Sequence, residues 1–290
     1  MVILYCLSGN YIDVFLTSFR SLLINNATSS FNIYIFHNYQ SRDLNELQFK
    51  LRKFEKDNIK VDLIFVDNIF DLDHLPLHGH IDISTYYRLL IGKYIPREVK
   101  KIIYLDADVI INGSIDELYF LDLKGKAIGA VNHNISENNT PIKLISRFKD
   151  LNLDKKLYFN AGVLLIDYQL WLSADVLKKA QVLLKKFSTQ LEWWDQDILN
   201  IIFKESIYFI SPKWNYIHYC MNEIELLESP VIYHFAGPHK PWYIFLDVPY
   251  KSIFWKYYNL KLFFRYLNRQ RFVQNIRMGA IYLKQILKIK

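Results

Sequence analysis

The stretch Ile102-Ile103-Tyr104-Leu105-Asp106-Ala107-Asp108-Val109-Ile110 decides how this chain folds. Its first half is a short apolar run rich in β-branched and aromatic residues, and with Lys101 ahead of it the run reads as a strand buried on both faces. The run stops at two carboxylates one residue apart. In extended geometry side chains alternate, so residues two apart project to the same side. Carboxylates held together at a strand's end repel one another, and a hard divalent cation relieves the repulsion. The pair also stands where open parallel sheets bind ligands, beyond the carboxyl end of a strand. An acidic surface turn would share this local sequence, so the decision falls to the residues around it.

Upstream, Met1 to Leu7 reads as a first buried strand, and Ile12 to Leu23 repeats apolar residues at helical spacing until Asn25-Asn26. Phe31 to Phe36 is β-rich. Ser41 is placed as the cap of a helix whose Leu44, Leu47, Leu51 and Phe54 share one face. Ile59 to Val66 reads as a strand and Ser84 to Ile91 as helical. Downstream, Ile128 to Val131 and Val163 to Ile166 are apolar strands, while Ser173 to Phe187 and Asp197 to Phe203 are helical. This alternation predicts an α/β fold with a mostly parallel central sheet and helices on both faces. The long polar interval 133–157 predicts a surface loop of the kind that serves as a lid.

The chain has 290 residues, 51% apolar and 22% charged, ample for a packed core and unlike collagenous or disordered material. No stretch approaches the ~18 uninterrupted apolar residues that cross a bilayer. The N-terminus has no basic leader and reaches Ser8-Gly9-Asn10 too soon for a signal peptide. Cys6 and Cys220 are too few for a disulfide framework, so the expectation is a cytoplasmic protein. The net charge of +7 is uneven: 10 of the 36 lysines and arginines follow residue 250 and none of the 29 acids does, which leaves 26 against 29 in the body. Residues 1–250 are therefore read as the catalytic body and 251–290 as a basic, aromatic-rich tail. Apolar spacing along 273–287 gives an amphipathic helix with a basic flank. Such a helix suits the anionic inner face of a membrane, although a helix packed on the body would share the pattern. Nucleic acid is not expected, because no recognised motif for it appears.

Three further clusters carry polar residues at turn-like positions. Val231 to Trp242 contains His234, a Gly237-Pro238 turn and Lys240. An imidazole added to two carboxylates makes a mixed nitrogen and oxygen site that suits Mn²⁺, with Mg²⁺ as the alternative, and Lys240 could neutralise phosphate as a point cation. Tyr158 to Asp167 holds Asn160 and Ala161 ahead of an apolar run. Trp193 to Asn200 holds Asp195, Gln196 and Asp197. There Asp195 reads either as a helix N-cap, with Asp197 in the first turn, or with its neighbours as a binder of sugar hydroxyls.

At these residues the chain resembles glycosyltransferase family 8, retaining enzymes whose bacterial members extend cell-surface glycans. The matching stretches run in order: Asn10-Tyr11, Ser84 to Leu89, Tyr104 to Asp108, Phe159 to Gly162, Asp195 to Asp197, and His234 to Trp242, covering roughly the first 245 residues. The resemblance implies a GT-A nucleotide-diphospho-sugar transferase fold, Mn²⁺, and transfer of galactose or glucose from a UDP-hexose to a glycan such as a lipopolysaccharide core. It implies Asp106, Asp108 and His234 as metal ligands. Donor contacts would come from Ser8, Asn10, Tyr11 (stacked on uracil), Arg88, Ala107, Asn160, Ala161, Gly237 and Lys240, and the catalytic set would be Asp195, Gln196, Asp197 and Lys240. Two positions depart from the family pattern: Ser8 replaces a common acid, and Asn132-His133-Asn134 stands where another acid is usual. A haloacid-dehalogenase-like phosphatase also places Asp-x-Asp after an apolar strand, and a non-catalytic basic membrane protein would explain the tail. The phosphatase pattern expects Thr or Val where Ile110 stands.

Overall fold

A computed structural model of the chain describes residues 1–67, 83–133, 147–217, 228–243 and 246–258. Its strands are β1 (Val2–Leu7), β2 (Phe31–His37), β3 (Ile59–Phe65), β4 (Lys101–Leu105), β5 (Val109–Ile111), β6 (Ile128–Asn132), β7 (Phe159–Asp167), β8 (Ile207–Phe209) and β9 (Ile232–His234). The α-helices are α1 (Ile12–Asn25), α2 (Ser41–Leu51), α3 (Ile91–Tyr94), α4 (Asp116–Phe120), α5 (Tyr168–Ser173), α6 (Val176–Phe187), α7 (Trp194–Phe203) and α8 (Lys251–Tyr257). A seven-stranded sheet runs β3-β2-β1-β4-β7-β6-β8, and β5 pairs with β9 beside it. Only the two pairings made by β7 in the large sheet are antiparallel; the other four are parallel. This is the expected mixed α/β, mostly parallel architecture.

Alternation along the central strands divides the core in two. Ile3, Tyr5, Ile103 and Leu105 face α1, α2, α4 and α8, whereas Leu4, Cys6, Ile102 and Tyr104 face the segment 83–94 and α5 to α7. Helices thus cover both sheet faces. Burial on both faces explains why β1 and β4 carry near-continuous apolar sequence.

Several elements differ in detail from their sequence reading. Ser84 to Ile91 is mostly a 3₁₀ turn, Ile83–Leu90, leading into α3. Gln40, not Ser41, caps α2, and Ser41 takes φ +41°. The helix expected over 173–187 is α6, which begins only at Val176; Asp175, at φ +48°, separates it from α5, which ends at Ser173. β7 begins at Phe159 rather than Val163, and β5 and β9 were not foreseen. Of the interval 133–157, residues 134–146 lie outside the described set, as do Cys220 and the helix expected over 273–287. Among the described residues no helix is long and apolar enough to cross a membrane. α8, at the start of the basic tail, packs onto the body: Phe254, Tyr257 and Tyr258 are buried in its core, and Trp255 Nε1 donates to the Pro241 carbonyl at 3.1 Å.

Candidate active site

Three chain segments meet at the carboxyl end of β4. The Asp106-Ala107-Asp108 triplet is a turn between β4 and β5, not extended strand, with Val109 N–H reaching back to the Asp106 carbonyl at 3.4 Å. Both carboxylates still converge, because β9 pairs with β5 and sets His234 opposite Val109. His234 Nε2 lies 3.6 Å from Asp106 Oδ2 and 3.4 Å from Asp108 Oδ1. One donor atom from each of the three lies within 4.8 Å of the others. Around an octahedral ion with bonds of about 2.1 Å, adjacent ligands sit about 3.0 Å apart and opposite ones about 4.2 Å. The observed spacings fall close to that range, so the side chains need only small movements to hold a cation.

A close approach of backbone and imidazole completes this cradle. Gly162, on β7, offers its carbonyl to Asp106 N–H at 2.8 Å. A Cβ at position 162 would stand 2.1 Å from His234 Cε1 and 2.8 Å from Asp106 Oδ2. Only glycine leaves His234 and Asp106 their space.

Cations brace the carboxylates on either side. Lys240 Nζ reaches Asp108 Oδ2 at 2.5 Å and the Phe235 carbonyl at 2.8 Å from beyond the turn at Gly237, whose φ is +76°. Burial works to raise the Asp108 pKa, but the Lys240 ammonium beside it outweighs burial and holds this carboxyl well below the usual range. Burial likewise opposes charge on Lys240, and Asp108, Tyr11 and Asp106 together reverse the shift upward. Arg88, buried, donates to Asp106 at 2.8 Å and to the Ala161 carbonyl at 2.5 Å, and pairs with Asp195 at 2.9 Å. Its guanidinium lies 4.2 Å from the centre of the Tyr104 ring, and Tyr104 Oη donates to Asp106 at 2.6 Å. Burial, with Asp106 and Asp197 adding and Arg88 opposing, pushes the Asp195 carboxyl up to about 7.

Asp195, Gln196 and Asp197 occupy the first turn of α7, whose cap is Trp193, so Asp195 is not the N-cap. Gln196 Oε1 accepts from Ala161 N–H and from Asn160 Nδ2, both at 3.0 Å. Its Nε2 donates to Tyr158 Oη at 3.2 Å. Asp197 is fully enclosed: Tyr158 Oη donates at 2.5 Å, the Glu192 and Trp193 amides at 2.9 Å, and Arg147 approaches at 3.2 and 3.3 Å. Ser8 is buried at the end of β1, Asn10 is exposed, and Tyr11 meets Trp242 edge-on at 6.1 Å. Ala107 is buried and Gly237 exposed.

Sequence reading passed over Gly162 as a steric necessity, Tyr104 and Tyr158 as hydroxyl donors, and Asn215 altogether. A tyrosine inside an apolar run gives no sign that its hydroxyl meets an acid, and Asn215 sits among aromatic residues without a motif. His133, which stands where an acid was expected, stacks on Trp193 at 5.2 Å, and its Nδ1 is buried without a partner. Burial, aided by the nearby His234 and Arg147, lowers its pKa from 6.5 to about 4. A histidine neutral in the fold but protonated when unfolded supports stability above pH 6.5 and withdraws that support as pH falls toward 4, by up to about 3 kcal/mol. His133→Phe keeps the stack and removes this proton uptake. Urea unfolding at pH 7 and pH 4 should show the stability of the wild type minus that of H133F falling by about 3 kcal/mol; an unchanged difference would mean the folded imidazole is charged.

The fold matches solved structures. A crystal structure of the galactosyltransferase LgtC with donor and acceptor sugar analogues superposes with a TM-score of 0.77 at 24% identity, covering 89% of this chain and 95% of that one. The glycosyltransferase GlyE of Streptococcus pneumoniae TIGR4 superposes with a TM-score of 0.66 at 23% identity over 88% of this chain and 59% of GlyE. In sequence, the lipopolysaccharide 1,2-glucosyltransferase of Escherichia coli K12 is 28% identical over 268 residues, 89% of this chain and 76% of the relative. The lipopolysaccharide 1,3-galactosyltransferase of Salmonella typhimurium LT2 is 28% identical over 264 residues, 87% of this chain and 76% of the relative. The model of the family described as glycosyl transferase family 8 matches residues 2–244, spanning every strand of the GT-A sheet and every side chain of the acid–imidazole–lysine cluster. This chain therefore belongs to glycosyl transferase family 8 and is a glycosyltransferase.

Proposed function

We propose that the enzyme transfers a hexose, glucose or galactose, from a UDP-hexose to a hydroxyl of a lipopolysaccharide-type glycan, keeping the anomeric configuration and using Mn²⁺. The observation that carries this reading is the convergence of Asp106, Asp108 and His234 at the carboxyl end of β4, with Lys240 against them. Two carboxylates and one imidazole form a hard, mixed donor set that fits Mn²⁺, with Mg²⁺ the alternative. When bound, the ion supplies Lewis-acid stabilisation of charge on the departing diphosphate. The similarity to lipopolysaccharide glucosyl- and galactosyltransferases supports the acceptor class. Family membership removes the phosphatase and non-catalytic alternatives.

The residues then divide the work. Lys240 adds a fixed cation for the diphosphate, and the Tyr11 ring, braced by Trp242, offers a face for uracil, with Asn10 and Ser8 beside it. Arg88 ties ligand Asp106 to Asp195, so the metal and sugar sides share one rigid guanidinium. Asn160, Asp195 and Gln196 face the transferred sugar. The reaction breaks the bond from the anomeric carbon to the phosphate oxygen and forms one to the acceptor oxygen, whose proton passes to the departing phosphate. Front-side attack of this kind is favoured because Gln196 Oε1 has both acceptor positions taken, both Asp197 oxygens are saturated, and Asp195, raised to about 7 by burial, is paired with Arg88. None of the three is free to act as nucleophile. Asp197 instead orients Gln196 through Tyr158.

UDP release should be measured over a set of UDP-hexoses with Mn²⁺. UDP-glucose or UDP-galactose should be turned over, and EDTA should abolish the signal; silence toward every UDP-hexose would overturn the reading. We further propose that the tail binds an anionic membrane surface, an inference supported by its charge. The cut must follow Tyr258, because Phe254, Tyr257 and Tyr258 belong to the core and Trp255 holds the Pro241 backbone next to Lys240. Removing residues 259–290 should lose phosphatidylglycerol-vesicle binding and keep donor hydrolysis. Vesicle binding that survives the deletion would place the contact elsewhere.

A further inference from the structure

The orientation of every amide between the sugar side and the metal side of this site is set by two backbone N–H groups of β7. Gly162 N–H donates to Asn160 Oδ1 at 2.9 Å, and a backbone amide can only donate, so that atom is the carboxamide oxygen. Asn160 Nδ2 therefore faces Gln196 Oε1, an assignment that Ala161 N–H confirms independently by donating to the same oxygen. On the other side, Asn215 approaches Asn160 Oδ1 at 2.8 Å, and an acceptor already identified as oxygen demands a donor, so the approaching atom is Asn215 Nδ2. Asn215 Oδ1 is then left pointing at His234 Nδ1, 2.9 Å away. A carbonyl oxygen there requires Nδ1 to carry the hydrogen. Nε2 is left with its lone pair toward Asp106 and Asp108.

We propose that Asn215 is a positioning residue that locks His234 in the Nδ1–H tautomer, the form whose Nε2 can ligate a metal, an inference that rests on the metal reading above. Distances favour the lock within the protein itself. The contact at Nδ1 is a hydrogen bond of ordinary length, whereas Nε2 stands 3.4 and 3.6 Å from the carboxylates, too far to compete for the hydrogen. Asn215 is fully buried and His234 nearly so, so water offers neither group a substitute partner. A carboxamide that would otherwise be free to rotate by half a turn is fixed through Asn160 by a strand amide. A ligand imidazole held by its second nitrogen is preorganised, and loss of such a partner typically weakens metal binding 10- to 100-fold.

The test has two readouts, neither of them turnover. In metal-free wild-type protein at pH 8, ¹⁵N–¹H correlation of the imidazoles, assigned with His234→Gln, should show His234 protonated at Nδ1 and bare at Nε2. An Nε2–H tautomer would overturn the proposal outright. Mn²⁺ titration followed by electron paramagnetic resonance should then show Asn215→Leu binding about 10- to 100-fold more weakly. Asn215→Asp keeps an acceptor for Nδ1 and, in its neutral acid form, an O–H to donate to Asn160 Oδ1, so it should weaken Mn²⁺ binding less than Asn215→Leu does. Equal losses in the two variants, or none in Asn215→Leu, would reduce Asn215 to a packing residue. Should Asn215→Leu not fold, the wild-type tautomer decides alone. Should wild type bind no Mn²⁺, the metal reading fails while the tautomer measurement still decides this one.

Discussion

Asp108→Ala is expected to lose metal-dependent UDP-hexose hydrolysis by at least about 100-fold, the scale on which removal of one preorganised electrostatic contact acts. The structure adds a second expectation that the ligand role alone would not give. Asp108 is the counter-charge of Lys240, and both side chains are only 12% exposed. Deleting one partner of a buried pair strands the other charge, at a cost of about 3 to 5 kcal/mol. Asp108→Ala should therefore be unstable in metal-free solution as well as inactive. A second change separates the two effects: Asp108→Ala combined with Lys240→Met removes the stranded ammonium, so stability should recover while activity stays absent. Urea denaturation and UDP release would read the two arms. Undiminished turnover in Asp108→Ala would remove the metal assignment, and no recovery in the double variant would remove the charge-pairing argument.

Gly162→Ala is expected to be as damaging to the site although it adds one methyl group. That methyl would stand 2.1 Å from His234 Cε1, 2.7 Å from its Nδ1 and 2.8 Å from Asp106 Oδ2, so either β7 shifts or two ligands move. β7 is paired on both sides at Leu164, Leu165 and Ile166, just beyond Gly162, whose own carbonyl and amide are bonded to Asp106 and Asn160, so it cannot shift cheaply. The ligands must yield, and displacement by about 1 Å of groups that need near-ideal placement costs on the order of 100-fold in rate. Mn²⁺ affinity, read by titration, should fall in parallel. Gly129→Ala is the control: its Cβ meets Leu123 Cδ2 at 2.7 Å and Ile210 Cγ2 at 3.2 Å, in the core away from the site. Overpacking there should cost about 1 to 3 kcal/mol of stability and leave metal affinity unchanged. Equal Mn²⁺ affinity in Gly162→Ala and wild type would show that the three ligands do not share the cradle.

The limits of the sequence reading follow from what one-dimensional pattern encodes. Alternation of apolar strands and amphipathic helices revealed the layers of the sheet. It did not reveal that β7 runs antiparallel, because a strand buried on both faces reads the same in either direction. Likewise the acid pair marked a candidate cation site, yet β5 and β9, three residues each, are too short to stand out from a loop. Their pairing is what carries His234 across the chain to the acids.

Residue type alone fixed which chemistry is present: two hard oxygen donors, an imidazole, a lysine beyond a glycine turn, and an excess of cations after residue 250. Those are local properties, written in composition and spacing. Which atoms face one another is not local. The contact between Asn215 and His234, the enclosure of Asp197, the ion pair that joins Asp108 to Lys240 and the need for glycine at 162 all arise where distant segments meet. Packing brings those segments within hydrogen-bonding distance, and only there do donor, acceptor and excluded volume acquire a single consistent arrangement.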